Sequence, residues 1–241
     1  MSKRNVDILA VGVHPDDVEL ACSGTLLSHI EMGKTVGILD LTKGEMGTRG
    51  TIHTRKEEAE NAREMMGAQF RENVGLKDGL FQYNQENVLK VIHYIRKWKP
   101  EIILCNSITD RHPDHGRSSK LVSDAAYYSG LIKMETLHDG AKQEVWRPNV
   151  VYHYIQDRHI EPNFVVDTTD YWDKKLALIK CFKTQFSIEK GDGPQTPISS
   201  DAFLDYVKSH DILMGRHIGA QYGEGFTVER YLGVRNLFDL Q

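Results

Sequence analysis

The chain has 241 residues, a formal net charge of −4 at pH 7 and three cysteines. This length suits one α/β domain, and the mildly negative charge argues against a non-specific nucleic-acid binder or a membrane-surface protein. No run approaches the ~20 apolar residues of a membrane span, and the basic start is followed by acidic residues rather than a cleavage site. We therefore expect a single cytoplasmic domain over residues 1–241, with reduced thiols.

The first half of the chain alternates between predicted strands and helices. Residues 6–13 form a short, β-rich apolar run, and apolar side chains at helical spacing follow over residues 18–32. Further strands are predicted at 34–41, 70–76 and 101–105, and further helices at 54–66, 84–99 and from Gly116 to about Tyr128. Residues 54–57, TRKE, have the pattern of a capping box. This alternation predicts a mostly parallel sheet with helices on both faces.

The second half of the chain is less regular. Strands are predicted at 149–155 and 163–169, and helices at 171–184 and 199–214. The sequence contains no internal repeat, low-complexity tract or interdomain linker, so one domain is the simplest interpretation.

Two polar clusters directly follow predicted strands. The first is HPDDVE, residues 14–19, and the second is DRHPDH, residues 110–115. Ligands of an open parallel sheet bind where loops leave the carboxyl ends of the strands. A fold that joins these two loops would bring together three imidazoles and several carboxylates, which predicts a metal site.

The residue types in these clusters suit a catalytic zinc ion. Zinc binds His nitrogen and carboxylate oxygen, and catalytic sites use three protein ligands and keep one position open. His14, Asp17 and His115 would form such a set. The same ligands accept Fe(II), Co(II) or Mn(II), so the sequence leaves the native metal open.

The remaining polar residues of the two clusters suggest catalytic roles. Asp16 would face the open position and act as the general base for an attacking water. His112 would stabilise the oxyanion of a tetrahedral intermediate or protonate a leaving amine. Asp114 would hold His112 in one tautomer.

Three other functional classes compete with a zinc hydrolase. A dinucleotide-binding domain would start in the same way, but the first turn, GVHPDD, lacks the GxGxxG spacing, and its two aspartates would repel a pyrophosphate. An Fe(II) oxygenase also uses two histidines and one carboxylate, although usually on a β-barrel. A non-catalytic zinc-binding protein would have no need for Asp16 or His112 beside the ligands.

The two clusters also carry a family resemblance. VGVHPDDVELACSGTL resembles the AHPDDxE signature of the PIG-L/LmbE-like zinc deacetylases, and HPDH resembles that family's second metal motif. The similarity continues through TKGE, RKEE and LKDG and covers nearly the whole chain, with Val13 in place of the usual alanine. The resemblance implies a Rossmann-like α/β fold, bound zinc and removal of N-acetyl groups from GlcNAc-containing compounds.

The resemblance also implies individual residue roles. The family's metal ligands correspond to His14, Asp17 and His115. Its general base corresponds to Asp16, and its oxyanion-stabilising histidine corresponds to His112. Arg55 and Asp78 match positions that contact sugar hydroxyls in the family.

Within the family, the chain looks most similar to the N-acetylglucosaminyl malate deacetylases of bacillithiol biosynthesis. GEMGTRGT, DRHPDHGRSS and HIGAQYGEGF carry this similarity. Malate bears two carboxylates, and Arg111 of the second cluster would bind them. Chitobiose or another GlcNAc derivative is the alternative substrate. Homo-oligomers are common among such relatives, so we also expect self-assembly.

Overall fold

The computed structural model describes residues 5–186 and 194–239. The strands are β1 Ile8–Gly12, β2 Val36–Thr42, β3 Phe70–Leu76, β4 Ile102–Cys105, β5 Leu137–His138, β6 Ala141–Lys142, β7 Val150–Tyr154, β8 Phe164–Asp167 and β9 Gly223–Val228. The α-helices are α1 Asp17–Ala21, α2 Ser23–Glu31, α3 Ile52–Met66, α4 Gln85–Trp98, α5 Pro113–Tyr128, α6 Trp172–Ile179, α7 Lys183–Phe186 and α8 Asp201–Arg216. Within the two described ranges, none of the helices is long and apolar enough to cross a membrane.

Seven strands form one mostly parallel sheet in the order β3-β2-β1-β4-β7-β9-β8. In this order, the five strands β3, β2, β1, β4 and β7 pair in parallel. Strand β9 runs antiparallel to both β7 and β8. The chain leaves β1 toward β2 on one side and leaves β4 toward β7 on the other. The crevice between the carboxyl ends of β1 and β4 is therefore a topological switch point, where open α/β sheets bind ligands.

Apolar cores cover both faces of the sheet. On β1, Leu9 and Val11 pack with side chains of α4 and α5, whereas Ile8 and Ala10 pack with side chains of α1, α2 and α6. All of β1 is buried, as expected for a central strand of a parallel sheet. The predicted Rossmann-like α/β fold with helices on both faces is confirmed.

Several predicted helix boundaries were wrong. α5 begins at Pro113, not after Gly116, because His112 acts as its N-cap and proline is well suited to the first helical position. α3 begins at Ile52, and its capping box joins Thr51 to Thr54 rather than Thr54 to Glu57. The helix predicted over 18–32 is two helices that meet at Cys22. The helix predicted over 171–184 is also two helices, α6 and α7.

β9 was not predicted, because Gly223 and Gly225 weaken any strand pattern in this segment. A Cβ on Gly223 would lie 2.9 Å from the Gly215 nitrogen of α8, and one on Gly225 would lie 2.8 Å from the Met214 sulfur. These glycines let α8 lie directly on the strand. The close contact places one face of α8 near the carboxyl ends of the parallel strands.

A buried ion network joins α8 and β9 to the rest of the fold. Lys175 of α6 donates to Asp211 at 2.7 Å and to Glu224 at 2.8 Å. Glu224 in turn accepts from the Gly24 and Thr25 backbone nitrogens at the start of α2. Burial opposes the charge, but the two carboxylates raise the pKa of Lys175, so it stays protonated.

Replacing Lys175 with methionine is expected to lower the free energy of unfolding by about 3–5 kcal/mol, because two buried carboxylates lose their cation. Urea denaturation measures the loss. Lys90→Met, which breaks the exposed Lys90–Glu86 pair, is the control and should cost less than about 1 kcal/mol. Equal losses in the two variants would contradict a stabilising role for the network.

Candidate metal centre and active site

The loops after β1 and β4 bring three histidines together at the switch point. His14 follows β1, and His112 and His115 lie at the start of α5. The ring centroids of His14 lie 4.7 Å from His112 and 5.7 Å from His115. Ring nitrogens of all three lie within 4.8 Å of one another. The two sequence clusters therefore form one site.

Asp17, the first residue of α1, lies between His14 and His115. Its Oδ1 is 3.3 Å from His115 Nε2, and its Oδ2 is 3.8 Å from His14 Nδ1. Burial opposes ionisation, but the neighbouring His115 holds the pKa of Asp17 well below its usual value. Asp17 is thus an anionic oxygen donor beside two imidazoles, a donor set that suits zinc.

Both imidazoles beside Asp17 are oriented by a further carboxylate. His115 Nδ1 lies 2.6 Å from Asp110 Oδ2, and His14 Nε2 lies 2.9 Å from Asp78 Oδ1. In each imidazole, one ring nitrogen faces Asp17 and the other ring nitrogen contacts the further carboxylate. Metal-binding histidines commonly hydrogen-bond a carboxylate through their second nitrogen in this way. The residues His14, Asp17 and His115 therefore fit a bound metal.

A second group of potential ligand atoms overlaps the first. Atoms of His14, Asp78 and Asp114 also lie within 4.8 Å of one another. However, the Asp114 carboxylate already accepts from the Gly79 nitrogen at 2.8 Å and from Arg117 Nη1 at 2.6 Å. This carboxylate is paired with the Arg117 cation, which disfavours a second cation beside it.

Asp16 is buried beside a guanidinium group. Its Oδ2 accepts from Arg55 Nη2 at 3.1 Å, and its backbone has φ 134°, a conformation that is strained for a residue other than glycine. Burial raises the pKa of Asp16 to about 7, although the charge of Arg55 opposes this rise. Asp16 and Asp17 are adjacent, yet they have different electrostatic environments.

Arg55 is held by protein acceptors on three sides. Besides Asp16, it donates to the carbonyl oxygens of Pro15 at 2.8 Å and Gly44 at 3.2 Å. A Cβ at Gly44, where φ is 64°, would lie 1.9 Å from Arg55 Nη1, so glycine is required there. Arg55 also lines the site cavity, and its contact with a sugar stays a prediction. Its observed role is to position Asp16.

His112 has its tautomer set by the helix that it caps. Its Nδ1 accepts from the Asp114 backbone nitrogen at 3.3 Å, so the neutral ring carries its proton on Nε2. Burial, together with the charges of His14 and His115, lowers the pKa of His112. The expectation that the Asp114 carboxylate sets this tautomer was wrong, since that group binds Gly79 and Arg117 instead.

The predicted substrate residues Asp78 and Arg111 both line the site cavity, but each has a protein partner. Asp78 contacts His14 and also accepts from the Met46 nitrogen at 2.9 Å. Arg111 is half-exposed, and its Nε donates to Asp157 Oδ2 at 2.5 Å. Substrate contacts by either residue stay predictions.

The cavity has a volume of about 260 Å³. This is just below the usual ~300–1,000 Å³ of small-molecule sites. Besides the predicted residues, it is lined by Gln156 and Arg49 and by a face of α8 that includes Phe203, Tyr206 and His210. Sequence reasoning missed these residues. Asp110 was included in the second polar cluster, but its role as the partner of His115 was not assigned.

Known proteins share this fold. The conserved protein TT1542 from Thermus thermophilus has a similar structure, with a TM-score of 0.84 and 32% identity over 95% of this chain and 98% of that chain. A family model described as PIG-L, GlcNAc-PI de-N-acetylase, matches residues 9–126, which include both motifs. The chain belongs to the PIG-L family. It is a metal-dependent N-deacetylase.

Three curated relatives span most of the chain. Diacetylchitobiose deacetylase of Thermococcus kodakarensis is 25% identical over 90% of this chain and 81% of its own length. 4-Oxalmesaconate hydratase of Pseudomonas putida is 26% identical over 76% of this chain and 78% of its own length. Probable N-acetyl-alpha-D-glucosaminyl L-malate deacetylase 2 of Bacillus anthracis is 22% identical over 77% of this chain and 84% of its own length.

Proposed function

We propose that the protein is a zinc hydrolase that removes the N-acetyl group from N-acetylglucosaminyl malate, a step of bacillithiol biosynthesis. The observation that carries the hydrolase assignment is the different environment of two adjacent carboxylates. Asp17 lies between two imidazoles, whereas Asp16 is paired with Arg55. One carboxylate is therefore suited to hold a cation, and the other is suited to accept a proton.

The residues of the site have different roles in the hydrolysis. His14, Asp17 and His115 would hold the zinc ion, which supplies a Lewis acid and lowers the pKa of water. Asp16, oriented by Arg55, accepts the proton of the attacking water as the new C–O bond forms. His112 donates from Nε2 to the oxygen that becomes negative. The proton then passes to the leaving nitrogen as the C–N bond breaks, which gives acetate and the free amine.

Arginine side chains on the cavity wall support an anionic conjugate as substrate, although five aspartates line the same cavity. Arg49, Arg55 and Arg111 all line the cavity, and Arg111 is the most exposed of them. Arginine binds carboxylates in a bidentate way, so Arg111 can exchange Asp157 for a carboxylate of malate. The 22% identity to the Bacillus anthracis protein also favours the malate conjugate as substrate.

Comparing kcat/KM for N-acetylglucosaminyl malate, GlcNAc and diacetylchitobiose tests the substrate. We expect the malate conjugate to be preferred at least about tenfold, since a charge-assisted hydrogen bond contributes about 1.5–3 kcal/mol. Arg111→Ala should lose this preference while it still cleaves the uncharged sugars. Arg158→Ala is the matched control, because Arg158 contacts Thr109 and is not among the cavity-lining residues.

A disaccharide deacetylase is the second candidate, favoured by the 25% identity to the Thermococcus kodakarensis enzyme. Equal or better activity on diacetylchitobiose would exclude the malate assignment and select this candidate. Hydration of 4-oxalmesaconate without acetate release from any N-acetyl sugar would instead contradict the deacetylase function itself.

A further inference from the structure

Two side-chain amides hold the carboxylate of Asp17, and neither was identified from the sequence. Asn106 Nδ2 donates to Asp17 Oδ2 at 3.0 Å, and Gln156 Nε2 donates to Asp17 Oδ1 at 2.9 Å. Each oxygen of the carboxylate therefore accepts from one side-chain amide, and Oδ2 also accepts from the His14 backbone nitrogen at 2.9 Å. Asn106 directly follows β4 and Gln156 lies just after β7, so adjacent parallel strands place the two donors.

The orientation of the Asn106 amide is fixed by its other contacts. Its Oδ1 accepts from the Val13 backbone nitrogen and from Ser118 Oγ, each at 2.9 Å. Because a backbone N–H can only donate, the amide oxygen must face Val13, and the NH₂ group must face Asp17. Asn106 is fully buried, so water does not compete for these bonds.

A buried histidine holds the backbone of Asn106 from behind. His153 of β7 has Nδ1 3.0 Å from the Asn106 carbonyl oxygen and Nε2 3.0 Å from Glu229 Oε1. The Ser119 hydroxyl also lies 2.9 Å from Nδ1, so Nε2 is the fixed donor of the ring, and Nδ1 donates to Asn106 when the ring is protonated. Burial opposes that charge, but the neighbouring Cys105 sulfur and the Glu229 carboxylate raise the pKa of His153 to about 11.

Neutral amides suit a carboxylate that binds a metal. A buried carboxylate must be hydrogen-bonded, but an arginine or lysine partner would cancel its charge and repel a cation. Asp16 has such a cationic partner in Arg55, whereas Asp17 has Asn106 and Gln156. We infer that Asn106 and Gln156 are positioning residues that fix Asp17 for metal binding, and that His153 fixes Asn106. This inference rests on the metal-ligand role proposed for Asp17.

The zinc affinity of purified, metal-stripped protein tests this inference without any substrate. Asn106→Ser and Gln156→Ala remove one amide donor each without adding a charge. We expect each to weaken the zinc Kd, measured by competition with a chromogenic chelator, by about 10–100-fold. The rise in Tm on zinc addition should shrink in parallel. Both readouts are independent of deacetylation.

Matched controls separate this effect from a general loss of stability. Asn87→Ser removes a buried amide of α4 that donates to the Gln82 carbonyl oxygen. Gln185→Ala removes an amide that lines the cavity and donates to the Arg49 carbonyl oxygen. Both should keep the wild-type zinc Kd within about twofold.

An unchanged zinc Kd in folded Asn106→Ser and Gln156→Ala would overturn the inference. If Asn106→Ser fails to fold, Gln156→Ala alone decides, because Gln156 is only partly buried. A wild-type protein that binds no zinc, Fe(II) or Co(II) would overturn the metal site of the proposed function instead.

Discussion

Replacing Asp16 with asparagine is expected to leave the metal content near that of wild type while lowering kcat by about 10²–10⁴-fold. The reason is that Asp16 supplies a proton acceptor rather than a ligand. Asparagine keeps the side-chain shape, and its amide oxygen can still accept from Arg55. It cannot accept the proton of the attacking water at neutral pH. Metal analysis and steady-state kinetics on the same preparation measure both quantities.

The contrasting variants are those of the proposed ligands. His14→Ala, Asp17→Ala and His115→Ala should each lose most of the bound metal, because each removes one of only three protein donors. A metal-free Asp16→Asn protein together with a metal-loaded Asp17→Ala protein would reverse the assignment of base and ligand. The electrostatics argue against that outcome, since a ligand at Asp16 would place the cation beside Arg55, whose Nη2 is 3.1 Å from Asp16 Oδ2.

The parallel part of the fold was predictable because each element there carries its own signal. Strands β1, β2 and β4 are apolar runs that end in polar loops, and the helices that follow the strands have apolar faces. Strand β3 lies at the edge of the sheet and carries polar residues. Strand β9 has no such signal, since Gly223 and Gly225 weaken any strand pattern. Their fit against α8 exists only in the tertiary structure. Strand β9, and with it the antiparallel pairing of β8, could therefore not be predicted from local sequence.

The residues of the site also differ in whether local sequence predicts them. His14, Asp17 and His115 lie in two short motifs that follow strands, so their residue types and spacing were enough to predict a metal site. Asn106 and Gln156 are single amides outside the two motifs, and nothing in their local sequence relates them to Asp17. Their contacts follow from the pairing of β1, β4 and β7, which only the folded chain specifies.

His112→Ala is expected to lower kcat by about 10²–10³-fold with little change in KM, because an oxyanion donor acts mainly in the transition state. The structure supports the donor role, since the Asp114 backbone nitrogen occupies Nδ1 and leaves the proton on Nε2. Steady-state kinetics with the N-acetylglucosaminyl substrate measures the split between kcat and KM. His112→Gln keeps an N–H donor and should recover part of kcat.

The metal content of His112→Ala decides between two roles that the geometry allows. Nitrogen atoms of His112, His14 and His115 lie within 4.8 Å of one another, so His112 is close enough to act as a ligand. A donor role requires that His112→Ala keeps its zinc and loses kcat. Loss of zinc would make His112 a ligand, and unchanged kcat with a raised KM would make it a substrate contact. We expect retained zinc, because Asp17 supplies an anionic third donor, whereas His112 has Nδ1 occupied by the Asp114 backbone nitrogen and its proton on Nε2.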